Sequence, residues 1–224
     1  MKYKRITVVC GHYGSGKTNV ALNMAYEQRQ RGEDVSIADL DIVNPYFRTK
    51  DSIDELNNRG IGLICSDYAG TNLDIPALPD EMYAITDNIN KNYVLDIGGD
   101  DRGALALGRL APQIIKENDY SMIAVINMYR PLTRDYKSTI EVLREIEYAG
   151  GISFTAVINN SNLGVQTTSE DVLASISYAQ EVSNNMSIPI IATSVSEKLK
   201  NELDGKIDNL FLMKLQKSLI NKEC

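Results

Sequence analysis

Runs of apolar, largely β-branched residues recur along the chain at residues 6–10, 35–38, 61–65, 93–97, 122–127, 154–158 and 188–192, and predict strands. The stretches between them carry a different period. Residues 18–30 hold Ala21, Met24 and Ala25 on one side and stop near Gly32. Residues 132–148 place Tyr136, Ile140, Leu143 and Ile146 at three- and four-residue intervals, with Thr133 as N-cap and Gly150-Gly151 as the stop. Residues 169–184 and 206–221 read as two further helices. Strands alternating with helices predict a three-layer α/β/α fold with a mostly parallel central sheet. No linker or repeat interrupts the pattern, so residues 1–224 read as a single domain ending in a helix over about 205–222.

In such a sheet ligands sit at the carboxyl ends of the strands, which directs attention to the polar residues that follow each run. After the first comes Gly11-His12-Tyr13-Gly14-Ser15-Gly16-Lys17-Thr18, then Asn19. Gly-x-x-x-x-Gly-Lys-Thr between a strand and a helix is the phosphate-loop (Walker A) pattern. The glycines let backbone N–H groups turn inward around phosphate oxygens, and the helix N-terminus adds positive potential. Lys17 is expected to bridge the β- and γ-phosphates, and Thr18 to offer its hydroxyl to Mg²⁺. After the second run, Asp39 and Asp41 stand two residues apart and point the same way in an extended segment. Beside a phosphate loop, one can anchor the Mg²⁺ water shell while the other orients an attacking water. The run at 93–97 ends in Asp96, followed by Ile97-Gly98-Gly99. An apolar run ending in Asp is the Walker B pattern, and the two glycines allow backbone to approach a γ-phosphate.

These motifs resemble those of the MinD/ParA-type ATPases, the deviant Walker A branch within the CobQ/CobB/MinD/ParA nucleotide-binding domains. Gly14, Gly16, Lys17 and Thr18 match the family's first motif, Asp39 and Asp41 its Asp-x-Asp, and Asp96 with Gly98 or Gly99 its switch. The resemblance implies an ATPase of slow or partner-dependent turnover with ATP/ADP and Mg²⁺ as cofactors. It assigns the water-positioning role to Asp41 and Mg²⁺ support to Asp96, with Thr18 and Asp39 completing the metal set. It also places an adenine-reading asparagine at Asn159 or Asn160, and admits a homodimer that sandwiches two nucleotides. The family's first lysine falls here at His12 and its first glycine at Tyr13. A largely neutral imidazole cannot supply that lysine's permanent charge across a dimer. Arg48, Arg102 and Arg130, each in or beside a candidate loop, are the alternatives for a trans arginine; His12 is otherwise a plain loop residue.

Adenine is expected over guanine because no Asn/Thr-Lys-x-Asp tetrapeptide follows a late strand, whereas an asparagine amide both donates and accepts. The chain is acidic, with net charge −7 and pI near 4.8, which disfavours a nucleic-acid partner. Three scattered cysteines and one histidine exclude a disulfide framework or a zinc cluster within one chain. With no signal-peptide pattern, the expected location is cytoplasmic. The apolar stripe Ile207, Leu210, Phe211, Leu215, Leu219 and Ile220, with lysines elsewhere, reads as a last helix packed on the sheet or as a membrane-surface anchor. Three functions fit: an ATP-driven switch acting on a protein partner, an ATP-dependent small-molecule transferase resembling dethiobiotin synthetases with an acceptor pocket at Asn44, Tyr46 and Arg48, and a non-hydrolysing nucleotide sensor.

Overall fold

A computed structural model describes residues 1–40, 52–65, 80–99 and 101–215. The strands are β1 (Ile6–Cys10), β2 (Val35–Leu40), β3 (Gly62–Cys65), β4 (Asn92–Ile97), β5 (Tyr120–Ile126), β6 (Ala156–Asn159), β7 (Ile190–Ser196) and β8 (Leu210–Met213). They form one sheet of eight strands in the order β3-β2-β4-β1-β5-β6-β7-β8, every pair parallel. The helices are α1 (Lys17–Gln30), α2 (Ile53–Asn58), α3 (Asp80–Asp87), α4 (Asp101–Glu117), α5 (Tyr136–Gly150), α6 (Ser169–Ala174), α7 (Ile176–Met186) and α8 (Lys200–Leu203). None of the described helices is long and apolar enough to cross a membrane.

The strands are buried on both faces, which is why they read as continuous apolar runs. Alternate side chains serve two separate cores. Ile6, Val8 and Cys10 of β1 join Leu107, Leu110 and Ile114 of α4, Leu143 and Ile146 of α5, and Val182 of α7. Val9 turns to the other face and meets Val20, Ala21, Met24 and Ala25 of α1. The chain leaves β1 through α1 toward β2 and leaves β4 through α4 toward β5, in opposite directions from the centre of the sheet. Right-handed crossovers running in opposite directions put α1 and α4 on opposite faces and open a crevice at the carboxyl end of β1.

Three expectations need correction. The predicted C-terminal helix is not formed over residues 210–213, which pair with β7 as strand β8; residues 216–224 lie outside the described residues. The helix expected over 132–148 begins at Tyr136, because Asp135 rather than Thr133 caps it by accepting from Lys137 N and Ser138 N. Thr133 ends a short 3₁₀ turn over Pro131–Thr133. The helix expected over 169–184 is divided into α6 and α7 at Ser175, whose hydroxyl donates to the Val172 carbonyl at 2.7 Å and draws in the buried Asn159 amide.

Candidate nucleotide-phosphate site

The loop from Gly11 to Gly16 joins β1 to α1. Gly16 is the N-cap of α1 at φ 89°, in the left-handed region, and offers no side-chain cap. No acidic residue occupies the first turn of α1. The first turn of this fourteen-residue helix thus carries neither an N-cap side chain nor an acidic residue of its own, a helix start suited to an anion. Glycine is required at position 16 twice over, since a β carbon there would also lie 2.2 Å from Asn160 Nδ2. Lys17 and Thr18 are buried in the first turn, and Asn19 follows, its carbonyl accepting from Asn23 Nδ2 at 2.7 Å. Lys17 Nζ lies back across the loop toward the His12 carbonyl at 3.5 Å. The same carbonyl accepts from Ser15 N at 3.1 Å and closes the turn.

Asp39 and Asp96 are partners in the parallel register of β2 and β4. Both share the parity of Ile37 and Val94, whose side chains enter the α1-side core, so the two carboxylates stand on the face that the start of α1 covers. Neighbouring strands lie about 4.8 Å apart. Asp96 is fully buried and Asp39 nearly so, and each is engaged within the fold, as is Lys17. Two adjacent buried carboxylates are stable only with cationic or hydrogen-bonding compensation. Hard oxygen donors at Asp39, Asp96 and Thr18 fit Mg²⁺, which keeps several waters and takes substrate phosphate oxygens as further ligands. Among the described residues no group of three His, Cys, Asp or Glu side chains forms an all-protein metal cage. Asp41, Asn44, Tyr46 and Arg48 lie outside the described residues.

His12 is half-buried, and its Nδ1 lies 2.9 Å from the Tyr13 carbonyl. Burial lowers the imidazole below its ordinary value; the Tyr13 carbonyl opposes this and the Lys17 charge adds to it. Burial thus favours the neutral imidazole.

Gly98 and Gly99 were expected to let backbone approach a γ-phosphate; in the structure Gly99 lies directly against the phosphate loop. A β carbon on Gly99 would stand 2.2 Å from the Gly11 carbonyl oxygen and 3.0 Å from Tyr13 N. One on Gly103, in the first turn of α4, would stand 2.5 Å from the Gly98 carbonyl oxygen. The phosphate loop, the turn after β4 and the start of α4 are stacked backbone on backbone.

Asn159 and Asn160 are both buried at the end of β6 with their amides used inside the fold. Asn159 donates to Ser175 Oγ at 2.8 Å and accepts from Ser161 N at 3.2 Å. Asn160 donates to the Ser15 carbonyl at 2.6 Å and accepts from Ser194 Oγ at 2.7 Å. Asn160 therefore braces the phosphate loop from behind, a role that its position after a strand did not reveal. Asn127 was not singled out as a site residue, whereas Arg130 was among the candidate arginines. Asn127 ties β5 to β6 by accepting from Tyr129 N and Asn162 N and donating to the Asn162 carbonyl. Arg130 Nε donates to the Gly14 carbonyl at 2.7 Å. Arg130, one of the three candidate arginines, thus touches the phosphate loop of its own chain, while Arg48 and the Arg102 side chain lie outside the described residues. The clue available beforehand was that Asn127, Asn159, Asn160 and Asn162 all follow neighbouring strands.

No protein-family model matches the sequence, and no curated relative does. Solved structures do match in fold. The cell division protein FtsY of Thermotoga maritima is 20% identical with a TM-score of 0.55, over 85% of this chain and 60% of its own. The signal recognition particle receptor FtsY of Elizabethkingia anophelis in complex with GDP is 13% identical with a TM-score of 0.50, over 97% of this chain and 62% of its own. The 54 kDa signal recognition particle protein of Aeropyrum pernix K1 in complex with GDP is 15% identical with a TM-score of 0.50, over 84% of this chain and 41% of its own. This chain thus spans about three fifths of the length of the FtsY chains it matches. The phosphate-loop motif, the parallel sheet and these likenesses together establish the α/β fold of P-loop NTPases.

Proposed function

We propose that the chain is an Mg²⁺-dependent nucleoside triphosphatase, selective for ATP and of the MinD/ParA type, that works as a switch on a protein partner. The single observation that carries this reading is the convergence of the Lys17-Thr18 helix start with the register-paired Asp39 and Asp96 on one face of the sheet. A bound Mg²⁺ would supply neutralisation of phosphate charge. The residues that would hold it are Thr18, Asp39 and Asp96. Lys17 binds the phosphates, and Asp41 orients the attacking water.

The switch reading is favoured over a small-molecule transferase by the backbone stack of Gly11, Gly99, Gly98 and Gly103. Any shift of the phosphate loop between triphosphate and diphosphate states must move the turn after β4 and then α4, since interlocked backbones cannot deform independently. A partner that docks on α4 would sense the nucleotide.

The test measures phosphate release and calorimetric binding with ATP·Mg²⁺ and no added acceptor. Wild type should bind and turn over slowly. Lys17→Ala should lose affinity by roughly 10–100-fold, as a charge-assisted contact of about 1.5–3 kcal/mol is removed. Asp41→Ala should bind within threefold of wild type and lose turnover. A wild-type chain that binds no nucleotide, or a Lys17→Ala variant equal to it, overturns the reading.

A further inference from the structure

Arg130 stands where chain connectivity and hydrogen bonding hold it on both sides. Its N–H donates to the Asn127 carbonyl at 3.3 Å and its own carbonyl accepts from Thr133 N at 3.1 Å. Pro131 follows and keeps Arg130 extended, at φ −109° and ψ 142°. Asn127, which carries this turn, is fully buried; its carbonyl also accepts from Thr133 Oγ1 at 2.7 Å, and its amide is bonded to residues after β5 and β6. The guanidinium is therefore delivered from a rigid platform.

It is delivered to the phosphate loop. Nε donates to the Gly14 carbonyl at 2.7 Å, and a β carbon on Gly14 would meet Nε at 3.4 Å and Cδ at 3.5 Å. Gly14 is three positions before Lys17 in the anion-binding loop. The bond uses only Nε. Among the described residues the two terminal nitrogens, with their four N–H groups, have no hydrogen-bond or ion-pair partner. A planar cation pinned at one corner, with its remaining donors unused, is suited to phosphate oxygens.

We propose that Arg130 acts in cis, contacting the phosphate chain of the nucleotide held by the same chain's loop and stabilising the charge that shifts during γ-phosphoryl transfer. This rests on the reading of the loop as a triphosphate site. Because the guanidinium is fixed to the loop through Nε, little reorganisation accompanies its action. The bond to Gly14 also couples the two parts, so that Arg130 moves with the loop.

The test uses the full chain and ATP·Mg²⁺, with variants Arg130→Gln, Arg130→Lys and Arg130→Ala. Glutamine keeps an N–H donor for the Gly14 carbonyl and removes the charge, so it separates a brace from a phosphate ligand. Arg130→Gln is expected to lower kcat at least tenfold with a thermal midpoint near that of wild type. Arg130→Lys should recover part of that loss, and millimolar guanidinium should raise the turnover of Arg130→Ala while equal urea should not. Mixing Arg130→Gln with Lys17→Ala chains should restore nothing, since each nucleotide needs both groups from one chain. An Arg130→Gln variant within twofold of wild type in kcat makes Arg130 a brace only and overturns the proposal. Recovered turnover in the mixture makes it a trans residue and overturns it too. These outcomes are distinct from failure of the triphosphate site, in which wild type binds no ATP and Lys17→Ala changes nothing; the proposal then falls with that reading.

Discussion

Gly99 has no room for a methyl group, and the atoms it would strike are backbone. The Gly11 carbonyl cannot rotate away as a flexible side chain would, so Gly99→Ala must push the phosphate loop. Overpacking of this kind costs about 1–3 kcal/mol of stability. Triphosphate affinity in Gly99→Ala should fall at least tenfold, measured by calorimetry beside a thermal melt; unchanged affinity would mean that loop and turn move independently. His12 gives a second expectation at this scale. Its folded value lies below that of the unfolded chain, so the unfolded state binds more protons as pH falls below the ordinary histidine range. Its contribution to stability is absent above that range and becomes unfavourable as pH drops through the lowered value. The melting temperature of wild type should therefore fall relative to His12→Gln between about pH 7 and pH 5. As His12 is the chain's one histidine, its NMR titration is unambiguous and should lie below the ordinary value. A titration at or above that value removes the burial argument.

Among the elements, β8 shows why an apolar stripe at helical spacing was misread. Ile207, Leu210, Phe211 and Leu215 fit a helix face, but Leu210-Phe211-Leu212-Met213 is also an unbroken apolar run. Both faces of that run are covered. Phe211 and Met213 enter the α1-side core, while Leu210 and Leu212 pack with Val172, Val195 and Leu203. Pairing with β7 satisfies backbone groups that would otherwise form an open edge. Asn23 of α1 then clasps the backbone of Lys214, donating to its carbonyl at 2.9 Å and accepting from its N–H at 2.8 Å. Phe211→Ala is expected to cost about 3–5 kcal/mol by urea denaturation. Lys214→Ala, which spares these backbone bonds, should change stability by less than about 0.5 kcal/mol. A mild Phe211→Ala effect would place β8 outside the core. The helix α4 was missed because Gly103, Gly108 and Pro112 read as breakers, although Ala104, Leu107, Leu110, Ala111 and Ile114 keep helical spacing on its buried face.

For the molecule as a whole, base choice is the property that the fold leaves open, since the fold neighbours named above include GDP complexes. The strand ends where a base reader would sit carry Asn159-Asn160-Ser161-Asn162 and Thr193-Ser194-Val195-Ser196-Glu197, and neither holds the Asn/Thr-Lys-x-Asp tetrapeptide that commonly meets guanine's paired donors. ATP should outcompete GTP at least tenfold, about 1.4 kcal/mol, in displacement of labelled ATP. Equal competition refutes the adenine preference. With the Asn159 amide bonded to Ser175 and Ser161, Asn159→Ala should act mainly through stability, and discrimination then belongs to backbone groups of these loops.

The layered fold and the phosphate loop were legible in the chain itself, because apolar runs buried on both faces and a Gly-x-x-x-x-Gly-Lys-Thr segment are local patterns, set by burial and by backbone sterics over a few residues. The adjacency of Asp39 and Asp96 was not, since it depends on β4 inserting between β1 and β2 and on a register that no local signal carries. Gly99 was read only for the approach of a phosphate, and the structure adds that its glycine is demanded by Gly11, eighty-eight positions earlier in the chain. Arg130 was one of three equivalent arginines until the turn after β5 was seen to bring it against Gly14. Local physics wrote the elements and the anion-binding turn; long-range pairing decided which charges stand together around it, because the energy of a charge depends on its neighbours in space and not on its neighbours in sequence.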